Sequence, residues 1–238
     1  MQLEGKIALV TGGSRGIGRA CVAALARRGA KLAFVYQHNA EAANSLVAEL
    51  AALECTAQAM QADVTDAARA EQIVEELVEK WGRIDALVNS AGHGPRAAIT
   101  EITDEQWHTG LDVYLMNVIR PVRLVTPIMQ AQKSGAIVNI STAWAFEPTP
   151  MFPTSAVFRA GLASYTKIYA DTYAADNIRI NNVLPGWIDS LPATTQRRDA
   201  VPMKRYGPRA EIAAPLSFLV SEGPGYITGP YLQVVRVF

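Results

Sequence analysis

A rhythm in the chain constrains its fold more than any single residue does. Short apolar runs alternate with longer segments in which apolar residues recur at three- and four-residue steps. Residues 7–10, 31–36, 56–61 and 84–89 are runs of the first kind, and residues 136–140 and 178–184 repeat them later. Between them, residues 17–28, 40–53 and 67–81 carry the helical period, and residues 106–132 and 155–175 predict two long helices, the first bent at Pro121. Strands covered on both faces read as continuous apolar runs, and a helix between successive strands makes them parallel. With right-handed crossovers the pattern predicts an α/β fold, a doubly wound parallel sheet flanked by helices on both faces. Ligands of such sheets sit outside the carboxyl ends of the strands. No repeat, linker or low-complexity tract divides the chain, so residues 1–238 read as one domain. Pro- and Gly-rich stretches at 148–153 and 223–229 predict loops near the site.

Composition narrows the function classes. Half of the 238 residues are hydrophobic, enough for one large core. Basic and acidic residues balance at 22 each, which argues against a broad nucleic-acid or anionic-membrane surface. Only 18% of residues are charged, a composition expected where other subunits cover part of the surface. Cys21 and Cys55 lie in helical apolar patterns without metal-ligand spacing, so no metal is expected and a reduced, cytoplasmic setting is. No apolar stretch approaches the roughly 18 residues of a membrane span, and the N-terminus lacks a charged-then-apolar leader.

The first strand–helix junction reads Thr11-Gly12-Gly13-Ser14-Arg15-Gly16-Ile17-Gly18. Gly12 allows a sharp turn, Gly16 allows a pyrophosphate to approach the backbone, and Gly18 allows helix and sheet to pack closely. The helix N-terminus then offers free N–H groups to phosphate. Asn89-Ser90-Ala91-Gly92 follows the fourth run, and Pro185-Gly186-Trp187-Ile188-Asp189-Ser190 follows the sixth. Together these motifs resemble the short-chain dehydrogenase/reductase family, in particular its acyl-carrier ketoreductase branch, over nearly the whole chain.

The resemblance implies a Rossmann-type single domain with a nicotinamide cofactor along Gly12, Ser14, Arg15, Gly16, Ile17 and Gly18. It extends the site to Gln37, His38, Asp63, Val64, Asn89, Ala91, Gly92, Arg159, Pro185, Gly186, Ile188 and Ser190. Asp63 would bond the adenine amino group, or else cap the helix that starts near Asp66. Ile188 would meet the nicotinamide carboxamide through its backbone, and Ser190 would replace a threonine hydroxyl, unless the segment is a plain turn. No carboxylate stands among Tyr36-Gln37-His38-Asn39 to repel a 2′-phosphate, and Arg15 offers a planar cation to one. NADP(H) is therefore expected in preference to NAD(H).

At the family's catalytic positions the chain departs from the pattern. Ser155 and Arg159 stand where the family has tyrosine and lysine. Thr142 follows Ile137-Val138-Asn139-Ile140-Ser141 at the serine position, and Tyr114, seven residues after Trp107, takes the asparagine position. Thr142 keeps a hydroxyl for carbonyl polarisation, or bonds local backbone. Ser155 is too weak an acid and too short to replace a phenol; as an alternative it caps the following helix. Arg159 stays protonated, so it serves ribose or a substrate anion rather than a proton relay. Tyr114 and His93 are the candidate replacement acids, each with a structural alternative: space filling for Tyr114, a local hydrogen bond for His93.

Trp144, Phe146, Met151, Phe152 and Trp187 predict either an aromatic substrate wall or loop anchors. The lid between Ser190 and Arg205 is short, and Val235-Arg236-Val237-Phe238 departs from the family's usual ending. Three functions remain open: an NADP(H)-dependent oxidoreductase on a carbonyl or alcohol, a catalytically silent cofactor-binding sensor or partner subunit, and a redox-neutral lyase or cyclase. The substrate is a small molecule in the first reading. The family's packing of its two long helices, here with apolar Ile119, Val122, Ile168 and Tyr169, implies a homodimer or homotetramer.

Overall fold

The structure is a computed structural model that describes residues 3–190 and 192–234. Seven parallel strands form one sheet: β1 (Ile7–Thr11), β2 (Lys31–Tyr36), β3 (Ala57–Gln61), β4 (Ala86–Asn89), β5 (Gly135–Ile140), β6 (Ile178–Pro185) and β7 (Tyr231–Val234). Their order is β3-β2-β1-β4-β5-β6-β7, with every neighbouring pair parallel. The helices are α1 (Gly16–Ala26), α2 (Ala40–Ala51), α3 (Ala67–Trp81), α4 (Asp104–Leu111), α5 (Asn117–Gln132), α6 (Pro153–Tyr173), α7 (Thr195–Ala200) and α8 (Arg209–Val220). This is the single-domain, doubly wound fold expected from the rhythm of the chain. Strand order reverses between β1 and β4, which opens a crevice at their carboxyl ends.

Strand alternation splits the core into two layers. Val10 and Phe34 face α1 and α8 with Leu25 and Leu216, whereas Leu9 and Val35 face α3, α5 and α6 with Leu77, Val125 and Leu162. Every residue of β1, β4, β5 and β6 is buried, which explains the largely apolar runs of the first three; β6 buries Arg179, Asn181 and Asn182 among its apolar residues. Several helix starts are written in the sequence. Asn39 caps α2 by accepting from the Ala42 N–H at 2.8 Å, and Asp66 caps α3 from Ala68 and Arg69 at 3.0 and 3.1 Å. Thr103 and Gln106 form a reciprocal capping box on α4.

Five expectations need correction. The long helix over 106–132 is interrupted not at Pro121 but by a π-helical turn at Asp112–Met116, and Pro121 and Pro127 both lie inside α5. Ser155 is not a helix cap: α6 begins two residues earlier at Pro153, whose fixed φ suits a first helical position. The loop over 223–229 lies at the amino end of the sheet, where Gly229 donates to the Ile180 carbonyl at 2.8 Å, away from the crevice. Val122 and Tyr169 belong to the chain's own core rather than to a free face. Asp63 does not cap α3, because Asp66 does. Helices α7 and α8 and strand β7 had no sequence assignment. Residues 235–238, where the ending departs from the family's, lie outside the described residues. Among the described residues no helix is long and apolar enough to cross a membrane.

Candidate active site

A cleft of about 890 Å³ runs across the carboxyl ends of the strands from β3 to β6, within the range of small-molecule sites. Its first wall is the loop from β1 to α1. Gly12 adopts φ +67°, and a Cβ on Gly18 would lie 2.1 Å from the Gly12 carbonyl oxygen. Only glycine at 18 lets α1 start so close to the strand end. Arg15 is the N-cap of α1, no side chain caps the helix, and its first turn holds no acid. Its free N–H groups at Gly16, Ile17 and Gly18 line the cleft. Thr11, a residue the motif reading passed over, ties this loop to the next: its hydroxyl accepts from the Ser90 and Ala91 N–H groups at 3.1 and 3.3 Å.

At the β3 end, Asp63 accepts from the Thr65 N–H and hydroxyl at 2.8 and 2.7 Å and from the Gln37 amide at 2.7 Å. Partial burial pushes its carboxyl upward, but these bonds and the His38 charge outweigh burial and hold it below its ordinary value. Gln37, Asp63 and Val64 line the cleft, whereas exposed His38 does not. Arg15 is exposed and forms no ion pair among the described residues. Asn89 turns away into the sheet, where its amide donates to Asn139 at 2.9 Å and Asn139 donates to Asn182 at 3.1 Å.

The other end of the cleft is built around Arg159. This side chain is 5% exposed, Nη1 is sealed from solvent without a partner, and the guanidinium lies 5.5 Å from the centre of the Tyr114 ring. Burial lowers its pKa to about 10, against a smaller opposing effect of Tyr114. Gly92, at φ +138°, makes room: a Cβ there would lie 2.5 Å from the Val113 carbonyl oxygen and 3.2 Å from Arg159 Nη2. Tyr114 projects from the π turn, is buried, and its phenol oxygen accepts from the Gly94 N–H at 2.7 Å. It is not part of the cleft wall, and neither is half-buried Ser155. His93 and Thr142 are. Burial, then the Arg96 charge, lowers the His93 pKa, and the Thr142 hydroxyl accepts from the Trp144 N–H at 3.4 Å. Asn117, three residues after Tyr114 and missed in the sequence, donates to the Ala91 carbonyl at 2.9 Å; its helical spacing from Tyr114 was the available signal.

Trp144, Phe152, Trp187 and Tyr206 pack together, with centroids 4.7 Å apart for Trp144–Phe152, 5.1 Å for Trp144–Trp187 and 6.1 Å for Trp187–Tyr206. Only Trp144 of these reaches the cleft. Phe146 leaves the group and packs on Tyr231 at 4.7 Å, and Met151 is exposed. Pro185, Gly186, Ile188 and Ser190 line the cleft beyond the end of β6.

Fold and cleft define an α/β protein of the Rossmann type. A sequence model described as enoyl-(acyl carrier protein) reductase matches residues 12–235. The chain is 34% identical over 241 residues to a 3-oxoacyl-(acyl-carrier-protein) reductase of Thermotoga maritima, covering 98% of each. It is also 34% identical to one of Synechocystis, covering 98% of this chain and 96% of the other. A short-chain dehydrogenase/reductase of Serratia marcescens superposes with a TM-score of 0.92 at 31% identity over 98% of both chains. A short-chain alcohol dehydrogenase of Sinorhizobium meliloti, described as putative, does so with 0.92 at 28% identity. The chain belongs to the short-chain dehydrogenase/reductase family, and the relatives named here are reductases and dehydrogenases.

Proposed function

We propose that the protein is an NADP(H)-dependent oxidoreductase acting on a carbonyl or alcohol substrate, with Thr142, Arg159 and His93 in place of the usual catalytic group. The observation that carries this reading is the uncapped N-terminus of α1 beside Gly12 and Gly18, a phosphate-sized cradle of free N–H groups. Arg15 would hold the 2′-phosphate, Asp63 the adenine edge, and Ile188 and Ser190 the nicotinamide end. Bound there, the cofactor would supply or accept a hydride.

The protein's own share of the chemistry is orientation and proton handling. Thr142 directs a hydroxyl to the substrate carbonyl. His93 is the imidazole on that part of the wall, and burial, then the Arg96 charge, hold its pKa below the ordinary histidine value, which suits it to accept a proton from an alcohol substrate. Tyr114, bonded to Gly94, positions the loop that carries His93. Ser155 contributes helix packing rather than acid. The comparisons with reductases support the reaction class, and the family's habit supports a homodimer or homotetramer. Two free cysteines, with the Cys21 thiol pushed up to about 12 by burial, fit a reducing cytoplasm.

Fluorescence titration with NADPH, followed by stopped-flow loss of its absorbance across a panel of ketones, aldehydes and keto acids, tests the proposal. Micromolar binding with turnover of at least one compound is expected. Binding without turnover would instead mark a silent cofactor-binding subunit, and no binding would remove the oxidoreductase reading altogether.

A further inference from the structure

Three charged side chains are buried among the described residues, and two of them are fully engaged. Asp85 takes Arg83 and the Ile7 N–H at 3.0 and 2.9 Å. Arg179 donates to the Leu219 and Ser221 carbonyls at 2.7 and 2.8 Å. Arg159 is the third, and among the described residues no hydrogen bond or ion pair engages it; the ring of Tyr114 is its polar company. A buried cation without a partner is strongly unfavourable, and folds keep one where something outside the chain completes it. The small part of Arg159 that is not sealed opens on the cleft.

The surroundings specify the missing charge. Two carboxylates line the cleft, and both are committed on the β3 side. Asp63 holds Gln37 and Thr65, and Asp112 accepts from Arg120 at 2.7 Å while Arg120 also donates to the Thr65 carbonyl. The other polar side chains of the wall after β4 and β5 are Ser90, His93, Ser141 and Thr142, none of them a carboxylate. Farther out, Arg96 lies 4.6 Å over Phe152 and Arg197 4.7 Å over Trp187, neither paired with a carboxylate. The β4–β5 end of the cleft therefore holds one buried cation and, among the described residues, no uncommitted carboxylate, with Trp144 as its aromatic wall.

We infer that the substrate carries a carboxylate, which Arg159 receives, and a flat apolar portion that lies toward Trp144. A sugar hydroxyl would satisfy an N–H but leave the charge uncompensated. An oxyanion formed only during reaction would leave it bare in the bound ground state. A carboxylate is ionised throughout the neutral range, so it compensates the charge from the moment of binding. The inference rests on the reading of this cleft as the substrate site and names the substrate class within it.

The test compares benzoylformate with its methyl ester by calorimetry at pH 7.5 in chloride-free buffer, with and without NADPH. The acid is expected to bind at least tenfold tighter than the ester, and Arg159→Met to abolish that preference. Equal affinities, failure of the acid to bind, or a preference that survives in the Arg159→Met protein would overturn the inference. The acid–ester comparison on the unaltered protein needs no variant. NADPH titration separates the two readings: a preference for the acid without NADPH binding keeps the anion site and removes the cofactor, and the reverse result removes the anion site alone.

Discussion

Replacing Arg159 by methionine should make the ligand-free protein more stable, although the residue lies in the proposed site. Burial brings the guanidinium pKa from 12.5 to about 10, and at about 1.4 kcal/mol per pH unit the buried charge costs the fold about 3 kcal/mol. Methionine keeps most of the apolar stem. It gives up the contact with the Tyr114 ring, worth about 1–2 kcal/mol when desolvated. The net gain is about 1–2 kcal/mol, or about 3–6 °C in Tm for a chain of this size. The pH dependence has a definite sign. A base whose folded value lies below its unfolded one leaves the unfolded chain holding more protons, so the parent gains stability as pH rises beyond about 10. Below that pH the cost is complete, and the gap between variant and parent is widest. Urea denaturation at pH 7.5 and fixed protein concentration measures it. A methionine variant less stable than its parent would refute the idea that Arg159 is kept against the interest of the fold. In that case the guanidinium would be a structural cation with partners that the geometry does not reveal.

Arg15→Ala should cut the preference for NADPH over NADH by about 10- to 100-fold, since a charge-assisted contact is worth about 1.5–3 kcal/mol; competitive fluorescence titration reads it, and an unchanged preference counts against Arg15. Gly18→Ala should destabilise the protein by about 1–2 kcal/mol despite a helix-propensity gain near 1 kcal/mol. Its Cβ, 2.1 Å from the Gly12 oxygen, must push α1 off the strand end, so NADPH affinity should fall as well; denaturation and titration on the same sample check both. Ile168, 66% exposed on α6, shares a stripe with exposed Val157, so Ile168→Asp should convert a dimer or tetramer to smaller species by light scattering. A parent that is already monomeric at micromolar concentration rules that out.

The parts of this fold that the sequence reveals are those whose environment repeats along the chain. β1, β4 and β5 are covered on both faces, so their side chains are mostly apolar without alternation, whereas β6 is read from Ile178, Ile180, Val183 and Leu184 around its buried Arg179, Asn181 and Asn182. β7 leaves Tyr231, Leu232 and Gln233 exposed at the sheet edge, and four residues with no alternation carry no signal. α8 buries Ile212, Ala213, Leu216, Leu219 and Val220 around a Pro215 that reads as a helix breaker, so its stripe was hidden. The glycine loop was legible because a backbone that must approach another backbone excludes every side chain, a constraint local to a few residues. Val122 and Tyr169 were misplaced for the opposite reason. Periodicity counts apolar residues on a helix but does not say which of two neighbours, the sheet or another subunit, covers them.

The catalytic end of the cleft was legible as a set of unusual residues but not as an arrangement, because its logic is tertiary. The π turn at Asp112–Met116 shows no compositional mark. It brings Tyr114 to the Gly94 N–H and the Val113 carbonyl to within 2.5 Å of where a Gly92 Cβ would stand. A Cβ on Gly94 would itself lie 2.6 Å from Tyr114 Cε2. A methyl group at Gly94 would thus collide with the Tyr114 ring, and one at Gly92 would collide with the Val113 carbonyl and crowd Arg159 Nη2. Tyr114, Arg159, Gly92 and Gly94 pack as one unit, so the proposed roles of positions 114 and 159 stand or fall together. A chain that had merely lost its catalytic group would have no reason to hold a bare cation in such a fitted socket. The coherence of that socket favours a rebuilt site over an abandoned one.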